Sequence, residues 1–536
     1  MKQFFIFISI ASVLFFSACL KDASTVDLYA VPHIGIDTTG VPARYSIFQN
    51  DTLRIKPKIS FEGADKSRLT YSWVLHTHGG YERLLGSKEA LEAELIEAPS
   101  PNPYKLIFTA RDSTNNVKAF FTWDILVISQ FGQGLVVADM RDDQASDVSL
   151  IMSYNFTTSI LTDSASTKIF RDAYSRSNGE KIAGRVNQLS FFKYSTYKDV
   201  TFLTDKGFTR IDVNSYVKKD ADKGLFVIAP DKIVPGDIST AILTNQHQYI
   251  INDGKGYGRY GDAKQFVYSF LASDKLSYQA EKICGLQNPV ALQTGGVLYD
   301  KRNNRFLLLP RMSSMANPLT NFSATDSSNP LVKFDPNNMG NKTCLQLFEG
   351  YDARIIAIMK ERDQAKYYAY QIKLTQPLTG AMGIAMNDLS QNPDIAKAKY
   401  FTSSTAEQVL FYASEDKVYS SILELGSAAT TTLRYTAKPG EKITGMEVYF
   451  GAGTYDPGAG RVHLPSSTDP NDWSKRISVS AKQRMLILST YNESSKEGKI
   501  ITIPIEILGI GGLTSNPAYI TSYGGFGRIT AFGIQI

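Results

Sequence analysis

The chain has 536 residues, of which 43% are hydrophobic and 20% charged, so it can build a packed core and is not an intrinsically disordered protein. Its net charge of +5 is spread along the chain without a basic block, which argues against a nucleic-acid surface. Three cysteines are too few for a disulfide scaffold or a cysteine-ligated metal centre.

Residues 1–18 predict a secretory signal peptide. Lys2 supplies a positive charge, and residues 4–16 form an apolar run that is too short to span a bilayer comfortably. The run leads into Ser17 and Ala18, directly before Cys19. Small residues before a cysteine resemble a bacterial lipobox, in which the cysteine carries the lipid. We therefore expect Cys19 to be the lipid-attachment residue; the alternative is an ordinary secretory signal with an incidental cysteine.

Residues 19–26 are expected to be a short tether. Leu20 stands where an aspartate would resemble an inner-membrane retention signal, and a Lys-Asp pair follows it. This charged start resembles the tethers of surface-exposed lipoproteins, which implies an outer-membrane anchor that faces the cell exterior. No other stretch of the sequence reaches 18 apolar residues.

Residues 27–130 predict a small β domain. Alternation places Tyr71, Trp73 and Leu75 on one face of a strand, and a hairpin is predicted between residues 104–108 and 121–127. About 100 residues of short strands around a tryptophan are typical of an immunoglobulin-like sandwich.

These residues resemble the PKD module. That module has a Tyr-x-Trp strand, here Tyr71 and Trp73, and a later Tyr-x-apolar strand that ends in Asp, here from Tyr104 to Asp112. The segment after the tryptophan, residues 74–80, departs from the acidic-glycine pattern of the module. The resemblance implies a spacer or binding platform, not a catalyst.

Residues 131–536 predict a large β domain built from repeated hairpins. Helical periodicity is nearly absent, and apolar strands joined by polar turns recur along the chain. Seven such hairpins are predicted, at residues 135–152, 199–212, 240–251, 296–309, 353–370, 408–420 and 484–503. Seven units over about 400 residues give about 57 residues each, which favours a seven-bladed β-propeller over two stacked sandwiches. A strand at residues 527–534 is predicted to complete the first blade and close the ring.

No residue of the sequence is assigned a catalytic, cofactor-binding or metal-binding role. Residues 256–261 match G-x-G-x-x-G but lack the strand-to-helix context, so they are interpreted as a loop. His76 and His78 have no evident third metal ligand. The aspartates between Asp139 and Asp147 lack calcium-loop spacing and are interpreted as a solvated turn.

Two further groups of residues are left open by the sequence. An oxidising compartment would permit a disulfide between Cys284 and Cys344, the two cysteines that remain after lipidation, but the sequence does not decide it. Aromatic residues in predicted loops are candidates for exposed ligand contacts, and none is assigned as a site: Tyr257, Tyr260, Tyr455, Trp473 and Tyr523.

The order of lipobox, PKD-like module and β-rich remainder resembles the PKD-like lipoproteins. The resemblance implies an accessory to a TonB-dependent uptake system of the SusC/SusD type, with the outer-membrane transporter or its lipoprotein lid as a partner. The first hypothesis is a non-catalytic protein that binds a glycan, a peptide or a partner protein, without a cofactor or nucleic acid. The alternatives are a propeller hydrolase or lyase that acts on a polysaccharide, and a structural subunit of an outer-membrane complex.

Overall fold

The structure, a computed structural model, describes a defined set of ranges: residues 32–100, 102–160, 167–195, 197–242, 246–287, 294–311, 318–326, 328–375, 380–424, 429–450, 460–466 and 476–536. The chain divides into two compact units, Met1–Val127 and Ile128–Ile536. In the described part, no helix is both long and apolar enough to cross a membrane.

The first unit contains nine strands: His33–Asp37 (β1), Arg44–Phe48 (β2), Thr52–Ile55 (β3), Lys58–Glu62 (β4), Leu69–His76 (β5), Glu82–Gly86 (β6), Leu91–Glu94 (β7), Tyr104–Asp112 (β8) and Lys118–Ile128 (β9). Five of them form one sheet in the order β2-β9-β8-β5-β6, and the others pair as β1-β4 and β3-β7. The predicted hairpin is confirmed, because Tyr104 faces Ile125 in the register of β8 and β9.

The core of this unit lies between the five-stranded sheet and the two strand pairs. Trp73 and Trp123 are fully buried and their rings are 5.3 Å apart, so the core contains two central tryptophans where the sequence predicted one. Ile55 and Phe61 reach them from β3 and β4. The immunoglobulin-like sandwich is thereby confirmed.

The second unit is a ring of seven sheets, or blades. Blade 1 contains Gly134–Met140 (β10), Ala145–Met152 (β11), Lys168–Phe170 (β12) and the C-terminal strand Arg528–Gln535 (β40), while Ile182–Ala183 (β13) pairs with β11. Blade 2 contains Val186–Tyr194 (β14), Tyr197–Thr204 (β15), Phe208–Asp212 (β16) and Lys218–Ala221 (β17). Blade 3 contains Pro235–Ile242 (β18), Gln246–Asn252 (β19) and Lys255–Tyr260 (β20).

The next two blades have four strands each. Blade 4 contains Ala280–Gly285 (β21), Thr294–Asp300 (β22), Arg305–Pro310 (β23) and Thr320–Asn321 (β24). Blade 5 contains Lys342–Glu349 (β25), Ile355–Glu361 (β26), Tyr367–Lys373 (β27) and Met382–Asp388 (β28).

Blade 6 contains Tyr400–Ser403 (β29), Val409–Ala413 (β30), Lys417–Ile422 (β31) and Thr430–Thr436 (β32). Blade 7 contains Glu441–Val448 (β33), Met485–Asn492 (β36), Glu497–Ile507 (β37), Gly512–Leu513 (β38) and Thr521–Phe526 (β39). An extra hairpin, Arg461–Pro465 (β34) with Arg476–Ser480 (β35), is inserted between β33 and β36.

Helical structure in the described residues is short. One α-helix, Ala173–Asn178 (α1), follows β12. Five segments are 3-10 helices: Lys66–Arg68, Asp222–Leu225, Tyr351–Ala353, Ile395–Lys397 and Pro517–Tyr519. The all-β fold class is confirmed.

The inner strands of the blades form a closed circle. β14, β18, β21, β25, β29 and β33 each contact the next inner strand, and β40 contacts both β33 and β14. β40 belongs to blade 1 because it pairs antiparallel with β10, from Gly134 facing Gln535 to Met140 facing Arg528. The predicted closure by the C-terminal strand is confirmed, which excludes two separate sandwiches.

Apolar clusters fill the spaces between blades. Six of them join consecutive blades from blade 2 around to blade 1; Ile358 of blade 5, for example, shares one with Leu410 of blade 6. Strands in the middle of a blade are therefore covered on both faces, and β22, β23 and β30 are buried along their whole length. This double burial explains why they are continuous apolar runs in the sequence.

Candidate functional site

One opening in the second unit lies inside the circle of inner strands. It is a cavity with a volume of about 380 Å³. Its walls include residues 238–242 of β18, residues 346–349 of β25 and residues 446–448 of β33, so it lies near the C-terminal halves of those strands. All seven inner strands contribute to its lining. A volume of this size lies within the range of small-molecule sites in proteins.

Strand alternation brings polar side chains into this cavity. On β33, Ile443, Met446 and Val448 join the apolar cluster between blades 6 and 7, whereas Glu447 has apolar neighbours in the chain on both sides. Successive strand residues point to opposite faces, so the Glu447 side chain points away from this cluster, and Glu447 is one of the residues that line the cavity. Glu349 also lines the cavity, from the last position of β25.

Many polar lining groups tie adjacent blades together. Ser239 of blade 3 accepts a hydrogen bond from the Gly285 amide of blade 4 at 2.8 Å, and Thr402 of blade 6 accepts one from the Val448 amide of blade 7 at 3.2 Å. Glu349 accepts one from the Gln287 amide at 2.6 Å and so joins blades 5 and 4. These bonds fix the wall, because buried polar groups lose free energy when they are left unpaired.

The cavity also has an aromatic wall and an acidic charge. Five phenylalanines line it: Phe191, Phe348, Phe401, Phe450 and Phe532. Its lining, as far as the structure describes it, includes Glu349 and Glu447 and no lysine or arginine. Removal from water raises the pKa of Glu447 to about 7.

Residues 256–260 of the glycine motif lie in β20 and Gly261 follows the strand, which corrects the interpretation of the motif as a loop. Small residues are needed there because a neighbouring segment packs closely against the strand: Phe270 donates to the Gly256 carbonyl at 2.8 Å, and Val267 to the Gly258 carbonyl at 3.1 Å. A Cβ on Gly256 would lie 3.2 Å from the Phe270 ring. The motif forms the edge strand of blade 3, which the segment with Val267 and Phe270 covers, and it is not a phosphate loop.

The aspartate cluster is also corrected. Asp142 and Asp143 are exposed as expected, but Asp139 and Asp147 are buried. Asp139 accepts a hydrogen bond at 2.6 Å from the amide of Gly527, the residue directly before β40. Burial raises the pKa of the Asp139 carboxyl. This aspartate therefore belongs to the closure of the ring and not to a solvated turn.

The aromatic candidates divide into three groups. Tyr257 and Tyr523 are buried, which contradicts their interpretation as exposed contacts; the Tyr523 hydroxyl donates to Asn155 Oδ1 at 2.7 Å. Tyr260 is half-buried at the end of β20. Tyr455 and Trp473 lie outside the described residues.

The histidine pair has partners of its own. His76 Nδ1 lies 3.2 Å from Glu82 Oε1, and the His78 ring stacks 4.7 Å from that of Tyr104. Nowhere in the described ranges do three His, Cys, Asp or Glu side chains gather as a metal site would need.

Cys284 and Cys344 lie in one buried cluster between blades 4 and 5, and the structure describes both as free thiols. Burial raises the pKa of both thiols well above the usual value, so neither is an activated nucleophile. A disulfide between them stays a prediction that thiol counting in the purified protein can test. Cys19 lies outside the described residues.

No pattern in the sequence directly predicts the cavity. The one local indication is Glu447, a charged residue between the apolar Met446 and Val448, because a carboxylate is unusual within an apolar strand. The seven inner strands are far apart in sequence and come together only when the ring closes. The cavity therefore depends on closure of the ring.

One family model matches part of the chain. The model of the PKD-like family matches residues 25–185, a range that runs past Val127 and through the strands β10–β13. None of the curated proteins matches the chain.

Two solved structures match the chain at low identity and low TM-score. One is a quinoprotein alcohol dehydrogenase-like protein from Bacteroides thetaiotaomicron, with 12% identity, a TM-score of 0.36, and coverage of 94% of this chain and 99% of the other. The second is the dihydro-heme d1 dehydrogenase NirN, with 9% identity, a TM-score of 0.37 and 76% coverage of each chain. These values are too low to transfer an activity.

Proposed function

We propose that this chain is a lipid-anchored binding protein of the cell envelope, because residues 25–185 match the model of the PKD-like family and a closed propeller with a central cavity follows. Cys19 carries the lipid, and the protein lies on the outer membrane with its domains towards the cell exterior. The propeller binds a small polar ligand, such as a segment of a glycan or peptide, for a neighbouring TonB-dependent transporter.

The cavity is the observation that carries this proposal. It combines about 380 Å³ of space with phenylalanine rings and a few polar groups, the mixture that is typical of small-molecule sites. The hydrogen bonds between blades, such as that from the Gly285 amide to Ser239, hold its walls in place before a ligand arrives. Such preorganisation lowers the entropy cost of binding.

The anchor and the partner are tested on membranes. In cells that express the wild-type chain, a labelled fatty acid should be incorporated and the protein should sediment with outer membranes, whereas Cys19→Ala should lose the label. Pull-down from detergent-solubilised membranes should recover a TonB-dependent transporter. Label that persists in the variant contradicts the anchor, and absence of the transporter contradicts the accessory role.

A second candidate function is hydrolysis or lysis of a polysaccharide. It is favoured by the two carboxylates that line one cavity, of which Glu447 has a pKa of about 7, near the value that suits a general acid. Incubation of the purified protein with polysaccharides separates the two functions. Cleavage that is abolished by both Glu447→Gln and Glu349→Gln supports the enzyme, and binding without cleavage supports the binding protein.

A further inference from the structure

Two polar side chains of the central cavity are not used to hold the blades together. Ser239, Thr402 and Glu349 are engaged across blade boundaries. By contrast, no hydrogen bond or ion pair joins the side chain of Gln346 or Glu447 to any other described residue. These two groups on the inner strands of blades 5 and 7 are therefore available to a ligand.

The surroundings of Glu447 favour one sign of ligand charge. The described lining contains two carboxylates and no lysine or arginine, although the chain as a whole carries a net charge of +5. A carboxylate that is withdrawn from water is stabilised by an incoming cation, and the attraction is stronger than it would be in bulk water. An anionic ligand would be repelled by the same pair.

The phenylalanines support the same choice. An ammonium group is attracted to the face of an aromatic ring, and acidic and aromatic groups together are a recurrent way to bind a cation. The lining includes Phe532 from blade 1 and Phe450 beside the end of β33. A divalent metal fits less well, since the described residues gather no set of three acidic, histidine or cysteine ligands.

We propose that the central cavity binds a protonated amine, with Glu447 as its counter-ion and the Gln346 side-chain carbonyl as a further acceptor. The amine is carried by an amino sugar of a glycan or by a lysine side chain of a peptide. This inference rests on the proposed binding function and adds the chemical class of the ligand.

Titration of the full chain in mild detergent with charge-matched probes tests the inference. Glucosamine is compared with glucose and glucuronate, and Nα-acetyl-lysinamide with Nα-acetyl-norleucinamide, by calorimetry and by the shift in melting temperature. We expect at least one of the two amines to bind about tenfold more tightly than its neutral counterpart, and glucuronate to bind most weakly. The amine that binds identifies a glycan or a peptide as its source.

Two variants assign the effect to the cavity. Glu447→Gln should reduce the affinity for the amine to about that for the neutral probe, a loss of about tenfold. Glu424→Gln makes the same chemical change at an exposed position beyond the lining of the cavity and should have no effect. The comparison of probes on the wild-type protein keeps the test valid even if Glu447→Gln does not fold.

The outcomes separate the inference from the function on which it rests. Equal affinity for amine and neutral probes, preference for glucuronate, or an amine preference that survives in Glu447→Gln overturns the inference. Binding of neutral probes alone would leave the proposed binding function standing. If none of the probes binds to the wild-type protein, both the inference and the small-ligand form of the proposed function are wrong.

Discussion

Charged residues inside the propeller are paired where they hold the fold. The side chain of Arg259 is fully buried, donates to both oxygens of Asp199 at 2.6 and 2.8 Å, and lies 4.1 Å from the ring centre of Phe192. Asp199 belongs to blade 2 and Arg259 to blade 3, so the pair joins two blades. A buried charge without its partner is strongly unfavourable.

Replacement of this arginine should therefore be costly. We expect Arg259→Ala to lower the free energy of unfolding by about 3–5 kcal/mol, because the buried Asp199 carboxylate loses both hydrogen bonds from Arg259 and keeps only Arg210, 4.0 Å away, and because the packing on Phe192 is lost. The control is Lys218→Ala, which breaks an exposed pair with Glu180 and should cost less than about 1 kcal/mol. Equal effects in urea unfolding would contradict a structural role for the buried pair.

Glu447 is the opposite case, since its carboxylate has no partner among the described residues and its pKa is raised to about 7. The folded state then holds its proton more tightly than the unfolded state, so stability from this group is present at low pH and is lost as pH rises through about 7. At pH 8 the wild-type carboxylate is charged in the folded state, so Glu447→Gln should be more stable than the wild type by about 1–3 kcal/mol. Near pH 4 the carboxyl is protonated in the folded state, and the difference in stability should vanish.

Thermal unfolding at several pH values measures this effect without any ligand. Glu424→Gln, at an exposed position, should follow the wild-type protein throughout the range. A Glu447→Gln variant that is less stable than the wild type at pH 8 would mean that the carboxylate is stabilised by a cation or by donors in the folded protein.

At the scale of elements, close contact between strands depends on particular glycines. Gly296 in β22 has a φ of +142°, and a Cβ there would lie 1.9 Å from the Cys284 carbonyl oxygen of β21. Gly296→Ala should destabilise blade 4, by about 2–4 kcal/mol, through backbone strain and separation of the two strands. Gly224→Ala, where the nearest atom would be 3.8 Å away, is the control and should be nearly neutral in the same denaturation assay.

Local sequence patterns predicted the strands and turns better than they predicted the contacts that each strand makes with distant parts of the chain. The hairpin of β15 and β16 follows from two apolar runs around Asp205-Lys206-Gly207, because turn chemistry and alternation act over a few residues. The G-x-G-x-x-G segment was misjudged because its glycines serve a contact with Phe270, which the local pattern does not contain. The cavity depends in the same way on residues such as Gln346 and Glu447, which are 101 positions apart.

For the whole propeller, one strand holds the two ends of the ring together. β40 pairs with β10 over seven residue pairs and lies between the inner strands of blades 7 and 2. Gln535 strengthens the junction by donating to the Phe131 and Gly132 carbonyls at 3.0 and 2.9 Å and accepting from the Tyr216 hydroxyl at 2.9 Å. A closed ring avoids exposed inner edges, so its stability depends on this strand.

Deletion of residues 528–536 should therefore damage the entire second unit. The deletion leaves the β10 edge unpaired, and each buried backbone group without a partner costs about 1–3 kcal/mol, so several losses approach the usual 5–15 kcal/mol stability of a domain. We expect aggregation or rapid proteolysis of residues 128–536. Removal of Ile536 alone, which retains all pairs of β40, should leave the protein intact. Limited proteolysis compares the resistance of the two truncated proteins. A resistant fragment of about residues 131–330 after deletion of residues 528–536 would contradict cooperative closure, because part of an opened ring would then be stable by itself.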